Sequence, residues 1–226
     1  MGTRNAFNLD GKVALVTGGG GRFGRQIVRA LAEAGAQVVT ASRDVARLDA
    51  YATELRAADL RVDTAPLDQA DEASILALRD HMMQRYGRVD VLVNNAVLRP
   101  MRGWSSPAAE FGQSMDINAT GLFVITRAFG DPMAERGSGS IINVGSIQGM
   151  IGPDLTLYEG VAQPPPPDYF FHKGGMLQLT RYAAGVLGPR GVRVNAVSPG
   201  GFYDGQDARL VERDSARTFL GRMAGE

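Results

Sequence analysis

Tyr169 is followed four residues later by Lys173, and both lie downstream of Ser146, which ends the strand-like run Ser140-Ile141-Ile142-Asn143-Val144-Gly145-Ser146. Positions i and i+4 share one face of a helix, so the ammonium sits beside the phenol and favours its ionised form. A group whose free pKa is near 10 thereby becomes a usable proton donor and acceptor. The same spacing also arises on ordinary helices, where the tyrosine is buried and the lysine solvated. A second chemical feature lies near the start of the chain. There Val13-Ala14-Leu15-Val16 leads into Thr17-Gly18-Gly19-Gly20-Gly21-Arg22-Phe23-Gly24, after which Ile27, Val28, Ala30, Leu31 and Ala34 recur at helical spacing. A buried strand, a glycine-rich turn and an amphipathic helix bring backbone N–H groups and a helix N-terminus up to a bound anion. Glycine is required where a side chain would block a pyrophosphate.

These groups must be held by a scaffold, and the chain is long enough to build one. Its 226 residues, 44% hydrophobic and 21% charged, can bury one good core and read as a single α/β domain. The formal net charge of zero gives no reason to expect nucleic acid or an anionic membrane as partner. With no cysteine, disulfides, thiolate catalysis and cysteine-ligated metals are excluded. His81 and His172 are the only histidines. The first reads as solvated and the second as a helix-face residue beside the Tyr–Lys pair, so no metal is expected. No apolar run approaches the roughly 20 residues that span a bilayer, and the N-terminus lacks a signal-peptide pattern, which predicts a cytoplasmic protein.

Apolar strands at 12–17, 37–41, 61–66, 89–93, 139–145 and 192–198 alternate with helical patterns at 22–34, 44–58, 71–86, 107–135 and 168–187. Alternation of this kind predicts a doubly wound parallel sheet of the Rossmann type, with ligands at the carboxyl edge of the strands. Pro164-Pro165-Pro166-Pro167 cannot be helical and ends where the Tyr169 helix begins.

Thr17-Gly18 through Gly24, Asn94-Asn95-Ala96, Asn118, Ser146, Tyr169 with Lys173, and Ser198-Pro199-Gly200 stand in the order seen in the short-chain dehydrogenase/reductase family, which the chain resembles over nearly its whole length. Within that family Val144-Gly145-Ser146-Ile147-Gln148-Gly149, Gly152-Pro153-Asp154-Leu155, Leu157-Tyr158-Glu159-Gly160 and Leu220-Gly221-Arg222-Met223-Ala224 look similar to a branch that includes flagellin-modification and nonulosonic-acid pathway oxidoreductases, which suggests a sugar-like substrate. The resemblance implies that Tyr169 exchanges a proton with the substrate oxygen while hydride moves to or from the nicotinamide. Lys173 would keep Tyr169 acidic and hold the nicotinamide ribose, and Ser146 would stabilise charge on the substrate oxygen. Asn118 would anchor a water linking Lys173 to solvent. Gly18, Gly21, Arg22, Phe23, Gly24, Asn95, Ala96, Pro199 and Gly200 would complete the dinucleotide site. Asp68 would accept from the adenine amino group.

Several departures from the family pattern bear on these roles. Arg22 stands where the middle glycine is usual, giving T-G-x-x-G-x-x-G, the spacing of extended relatives such as nucleotide-sugar epimerases and dehydratases. Val97 replaces the glycine that commonly follows Asn-Asn-Ala. Tyr169 lies 23 positions after Ser146, more than is usual, whereas Tyr158 lies 12 after it but has Ala162, not lysine, four residues on. Tyr169 is therefore the expected acid–base group and 147–167 an insertion lining the substrate cleft. After the second strand the ribose-facing position is Ser42, followed by Arg43. Serine does not repel a 2′-phosphate and arginine pairs with it, so NADP is expected over NAD. The resemblance further implies a helix and strand beyond Gly221-Arg222-Met223, so the C-terminal end is expected to be incomplete relative to relatives, and a homo-oligomer, dimer or tetramer. An alcohol/carbonyl oxidoreductase is the leading expectation. A nucleotide-sugar epimerase or dehydratase with tightly held NAD, and a non-catalytic dinucleotide-binding protein, are the alternatives.

Overall fold

The structure, a computed structural model, describes residues 7–225. Strands and helices alternate as β1 (Val13–Thr17), α1 (Arg22–Glu33), β2 (Gln37–Ser42), α2 (Val45–Arg56), β3 (Val62–Pro66), α3 (Glu72–Tyr86), β4 (Val91–Asn94), α4 (Ala108–Met115), α5 (Leu122–Glu135), β5 (Gly139–Val144), α6 (Pro167–Leu187), β6 (Val192–Val197) and α7 (Ala208–Ser215). The strands form one parallel sheet in the order β3-β2-β1-β4-β5-β6. This is the predicted single-domain, doubly wound α/β fold. Between β1 and β4 the strand order reverses, which opens a crevice beyond their carboxyl ends.

Helices cover both faces, so each strand needs apolar side chains on both sides. β1 divides its residues accordingly. Val13 and Leu15 join Ile75, Met82, Phe129 and Leu187 on the side of α3, α5 and the end of α6. Ala14 and Val16 join Val28, Val38, Tyr51 and Leu55 on the side of α1 and α2. Each such fully buried side chain contributes about 1.5–3 kcal/mol. Helix starts are fixed by short acceptors. Asp44 takes the Arg47 N–H at 3.0 Å and Asp71 takes the Ala73 N–H at 2.9 Å. α3 stops at Gly87, whose φ of +72° suits a residue without Cβ. The proline run ends with Pro167 in the first turn of α6.

Two expectations about helices need correction. The single helix predicted over 107–135 is α4 and α5 joined by a π-turn, Asp116–Gly121. Here the Gln69 side chain donates to the Ile117 carbonyl at 2.9 Å, and Gly121 packs so tightly on Gln69 that a Cβ would overlap its carbonyl oxygen. The helix widens to pass this obstacle, as π-turns do where a foreign group enters the ladder. The short helix α7 was not predicted. It buries Leu210 alone and so carries almost no periodic signal.

Candidate active site

The carboxyl ends of the strands open onto a cleft of about 860 Å³. The loop after β1 forms its floor. Gly18 adopts φ +68°, and a Cβ there would lie 2.9 Å from the Ala96 Cα. A Cβ on Gly24 would overlap the Gly18 carbonyl oxygen, and one on Gly19 would overlap the Thr40 hydroxyl. These glycines let the loop, α1 and the sheet close on one another, as a pyrophosphate cradle requires. Gly21 caps α1 with no side-chain acceptor for its first-turn N–H groups, the arrangement that receives an anion. The Asn94-Asn95-Ala96 turn is stitched to this loop. The Thr17 hydroxyl accepts the Asn95 and Ala96 N–H groups at 3.1 and 3.0 Å, and the Asn95 amide donates to the Thr17 and Gly18 carbonyls at 2.9 and 3.0 Å.

Gly18, Gly21, Arg22, Phe23, Gly24, Ser42, Arg43, Asp68, Asn95 and Ala96 all line the cleft. Arg43 is exposed and makes no ion pair among the described residues. Asp68 uses one oxygen on the Ala70 N–H, at 3.0 Å. Arg22 is instead ion-paired with Asp204, and Phe23 packs on Phe202 with ring centroids 5.0 Å apart. Its charge is thus engaged at the mouth of the cleft. The second cation beside Arg43 is Arg47, one turn into α2 and also in the lining, which sequence reasoning missed although the two arginines stand four apart. Gln69 was missed as well. Taken together, the uncapped helix start, the Cβ-free cradle and the two arginines fit a dinucleotide with its phosphates.

Beyond this cleft, β5 and α6 bring the second set of residues together. Ser146 follows β5 and starts the 3-10 turn Ile147–Gly149. Its hydroxyl oxygen accepts the Gln148 N–H at 3.1 Å, which leaves the hydroxyl proton to donate. The turn lies directly on α6, where a Cβ at Gly149 would come within 2.6 Å of the Lys173 carbonyl. The Lys173 ammonium donates to the Val144 carbonyl at 2.5 Å and sits 5.9 Å from the centre of the Tyr169 ring. Ser146, Tyr169 and Lys173 are all buried. Burial, reinforced by the Arg99 guanidinium, lowers the Lys173 pKa to about 8. Arg99 itself lies over the face of the Tyr169 ring, 4.3 Å from its centre. No sequence signal marked this arginine, which stands in an irregular loop.

The remaining expected residues divide between the site and its supports. The Asn118 amide sits in the π-turn and donates to the Leu98 carbonyl at 2.7 Å and the Ser114 hydroxyl at 3.0 Å, while its oxygen accepts the Leu98 N–H at 3.0 Å. Both amide hydrogens are therefore committed to protein, and the side chain holds the loop after β4. Pro199 accepts the Ile147 N–H at 3.0 Å and so ties the end of β6 to the Ser146 turn, with Gly200 next to it. Tyr158, beyond the turn Leu155–Leu157, is half-buried, and burial raises its pKa despite the neighbouring Gln148. His172 is buried edge-on against Tyr169 at 5.3 Å, with a pKa lowered to about 3 by burial and then by Lys173 and Arg99. It is neutral at physiological pH. His81 is exposed.

Beneath the site runs a buried chain that sequence reasoning also missed. Asn94 donates to Asn143 at 2.8 Å and to Thr126 at 3.2 Å, and Asn143 donates to Thr180 at 2.8 Å, so β4, β5, α5 and α6 share one polar network.

A family model described as short chain dehydrogenase matches residues 12–213. The galactitol 2-dehydrogenase (L-tagatose-forming) of Cereibacter sphaeroides is 37% identical over 221 residues, covering 97% of this chain and 82% of that protein. A crystal structure of a gluconate 5-dehydrogenase from Burkholderia cenocepacia in complex with NADP and tartrate superimposes with a TM-score of 0.87 at 29% identity, covering 99% of this chain and 87% of that one. An NAD+-bound xylitol dehydrogenase gives a TM-score of 0.86 at 25% identity, covering 96% and 88%. With a glycine cradle at the switch point of the sheet and a tyrosine, lysine and serine gathered beside it, the chain belongs to the short-chain dehydrogenase family and is an NAD(P)-dependent oxidoreductase acting on alcohol and carbonyl groups.

Proposed function

We propose that this enzyme interconverts a secondary hydroxyl and a ketone on a sugar-like polyol, with Tyr169 as the acid–base group. The observation that carries the reading is the convergence of Ser146, Tyr169 and Lys173 where β5 meets α6, next to the glycine cradle. The nicotinamide supplies the hydride acceptor for oxidation and the donor for reduction. Tyr169 takes the proton from the reacting hydroxyl, or returns it to the carbonyl oxygen. Lys173 favours the phenolate by its charge and would hold the nicotinamide ribose. Ser146 donates its free hydroxyl proton to the same substrate oxygen, where negative charge grows during reduction. Asn118 keeps the loop after β4 in place. Gln148 and Asp214 each carry a buried side-chain oxygen with no protein donor, and both lie beside Tyr158. They are suited to additional substrate hydroxyls, and Gln148 in this role supports the reading of 147–167 as a segment that lines the substrate cleft. The polyol dehydrogenases among its relatives support the same substrate class.

NADP is the preferred cofactor in this reading. Arg43 is free and Arg47 stands beside it, while the nearby Asp44 carboxylate is occupied in capping α2. Phe111 meets Phe171 edge-on, with ring centroids 5.4 Å apart, and Phe171, Tyr182 and Val186 are exposed along α6. We assign this aromatic strip to contact with a second copy of the chain. No helix among the described residues is long and apolar enough to cross a membrane, and a cytoplasmic location gives access to the free dinucleotide pool. Polyols, sugars and sugar acids offered with each cofactor test the assignment, with reduced nicotinamide as the signal. Turnover of at least one member is expected; cofactor binding without any turnover would refute it.

A further inference from the structure

Arg99 is the one charged side chain set over the Tyr169 ring that the chemistry described so far leaves without a task. Its guanidinium stands 4.3 Å from the ring centre, yet it takes part in no ion pair or side-chain hydrogen bond among the described residues. It is not part of the dinucleotide cleft, whose lining on this loop stops at Leu98. Arg99 is therefore placed on the substrate side. Its position is fixed from behind, because the Asn118 amide binds both the N–H and the carbonyl of Leu98, at 3.0 and 2.7 Å, and Pro100 restricts the backbone of the residue before it, Arg99 itself. Two cations, Arg99 and Lys173, then stand around one phenol, and Arg99 adds to the burial that lowers the pKa of Lys173. An arrangement of that kind is unfavourable until an anion arrives.

We infer that Arg99 is a specificity-determining residue that binds a carboxylate, so that the preferred substrate is a polyhydroxy acid whose secondary hydroxyl meets Tyr169 while its carboxylate meets Arg99. The inference rests on the alcohol dehydrogenase reading above and narrows it. The reaction balances as hydroxy acid plus NAD(P)+ giving keto acid, NAD(P)H and a proton, with hydride leaving the carbinol carbon and the proton leaving through Tyr169. A carboxylate fits better than a phosphate ester. The planar fork of one guanidinium matches a carboxylate in two parallel hydrogen bonds. A phosphate dianion calls for further donors, and Lys173, the other cation here, is already bonded to the Val144 carbonyl.

The test compares a hexonate with the hexitol of matched configuration, and with a hexose phosphate, on the unmodified enzyme, Arg99→Gln and Arg99→Lys. Binding of each compound to the enzyme–NAD(P)H complex is titrated beside the steady-state rates. The unmodified enzyme should favour the hexonate. Arg99→Gln should lower hexonate kcat/KM by about ten- to a hundredfold, mainly through KM, and weaken hexonate binding to the same degree. The hexitol should change far less, and Arg99→Lys should recover part of the loss. Equal losses for hexonate and hexitol would show that Arg99 acts on Tyr169 and overturn the inference, as would preference for the hexitol or the hexose phosphate. Absence of turnover with every compound would count against the dehydrogenase reading alone. In that case Arg99-dependent hexonate binding would still support the carboxylate site, and its absence would refute it.

Discussion

Lys173 is held charged in a place that resists charge, and removing it should stabilise the fold while destroying activity. Its pKa falls from 10.5 to about 8 through burial and the nearby Arg99. One pKa unit corresponds to about 1.4 kcal/mol, so the folded protein carries a cost of about 3 kcal/mol at pH 7 to keep this ammonium. Lys173→Met removes that cost and fills a similar volume, but leaves the Val144 carbonyl without its donor, which forfeits about 1–2 kcal/mol. The net gain is about 1–2 kcal/mol, or roughly 2–8 °C in Tm for a chain of this size. The sign also appears in the pH dependence. Because the folded pKa lies below the unfolded one, the unfolded chain binds more protons between about pH 8 and 10.5, and stability contributed by this residue rises with pH across that window. Thermal melts of the cofactor-free protein and of Lys173→Met, from pH 7 to 10, measure both effects. The advantage of the variant should shrink as the pH rises. A lower Tm for the variant at pH 7, or a difference that does not change with pH, would refute the reasoning.

Two further outcomes follow from the cleft. Arg43→Asp should weaken NADP by about ten- to a hundredfold, from loss of a charge-assisted contact and added repulsion, while leaving NAD nearly unchanged. Titration with each cofactor checks this, and equal weakening of both would mark Arg43 as an adenine or surface contact only. Gly24→Ala places a methyl group against the Gly18 carbonyl and should cost roughly 1–3 kcal/mol of stability together with much of the dinucleotide affinity. A variant that melts and binds like the unmodified protein would show that the loop is not tightly closed.

The sheet was legible because parallel strands buried on both faces read as apolar runs, as Val13-Ala14-Leu15-Val16 and Val91-Leu92-Val93 do. The glycine loop was legible because its residues act through local backbone geometry. What the sequence concealed depends on partners distant in the chain. The π-turn exists because Gln69 and Leu98 reach Ile117 and Asn118, and nothing in 107–135 alone announces it. Arg22 was expected as a cofactor contact and lines the cleft, but its ion pair with Asp204, from the segment after β6, was not legible. The helical spacing of Tyr169 and Lys173 was visible, but the depressed pKa of the lysine is not, since it comes from burial and from an arginine in a loop after another strand. Arg99 over the tyrosine ring is the clearest example: its residue type was plain and its neighbour was not.

The central claim is that Tyr169 carries the proton of the reacting hydroxyl. It is tested most directly by Tyr169→Phe beside Tyr158→Phe, with cofactor binding titrated and reduced nicotinamide formation followed on the same samples. Tyr169→Phe should bind the dinucleotide nearly as well as the unmodified enzyme yet lose turnover by at least about a hundredfold, while Tyr158→Phe, whose phenol is pushed up by burial and has no lysine beside it, stays active. Activity that survives in Tyr169→Phe and disappears in Tyr158→Phe would contradict the account.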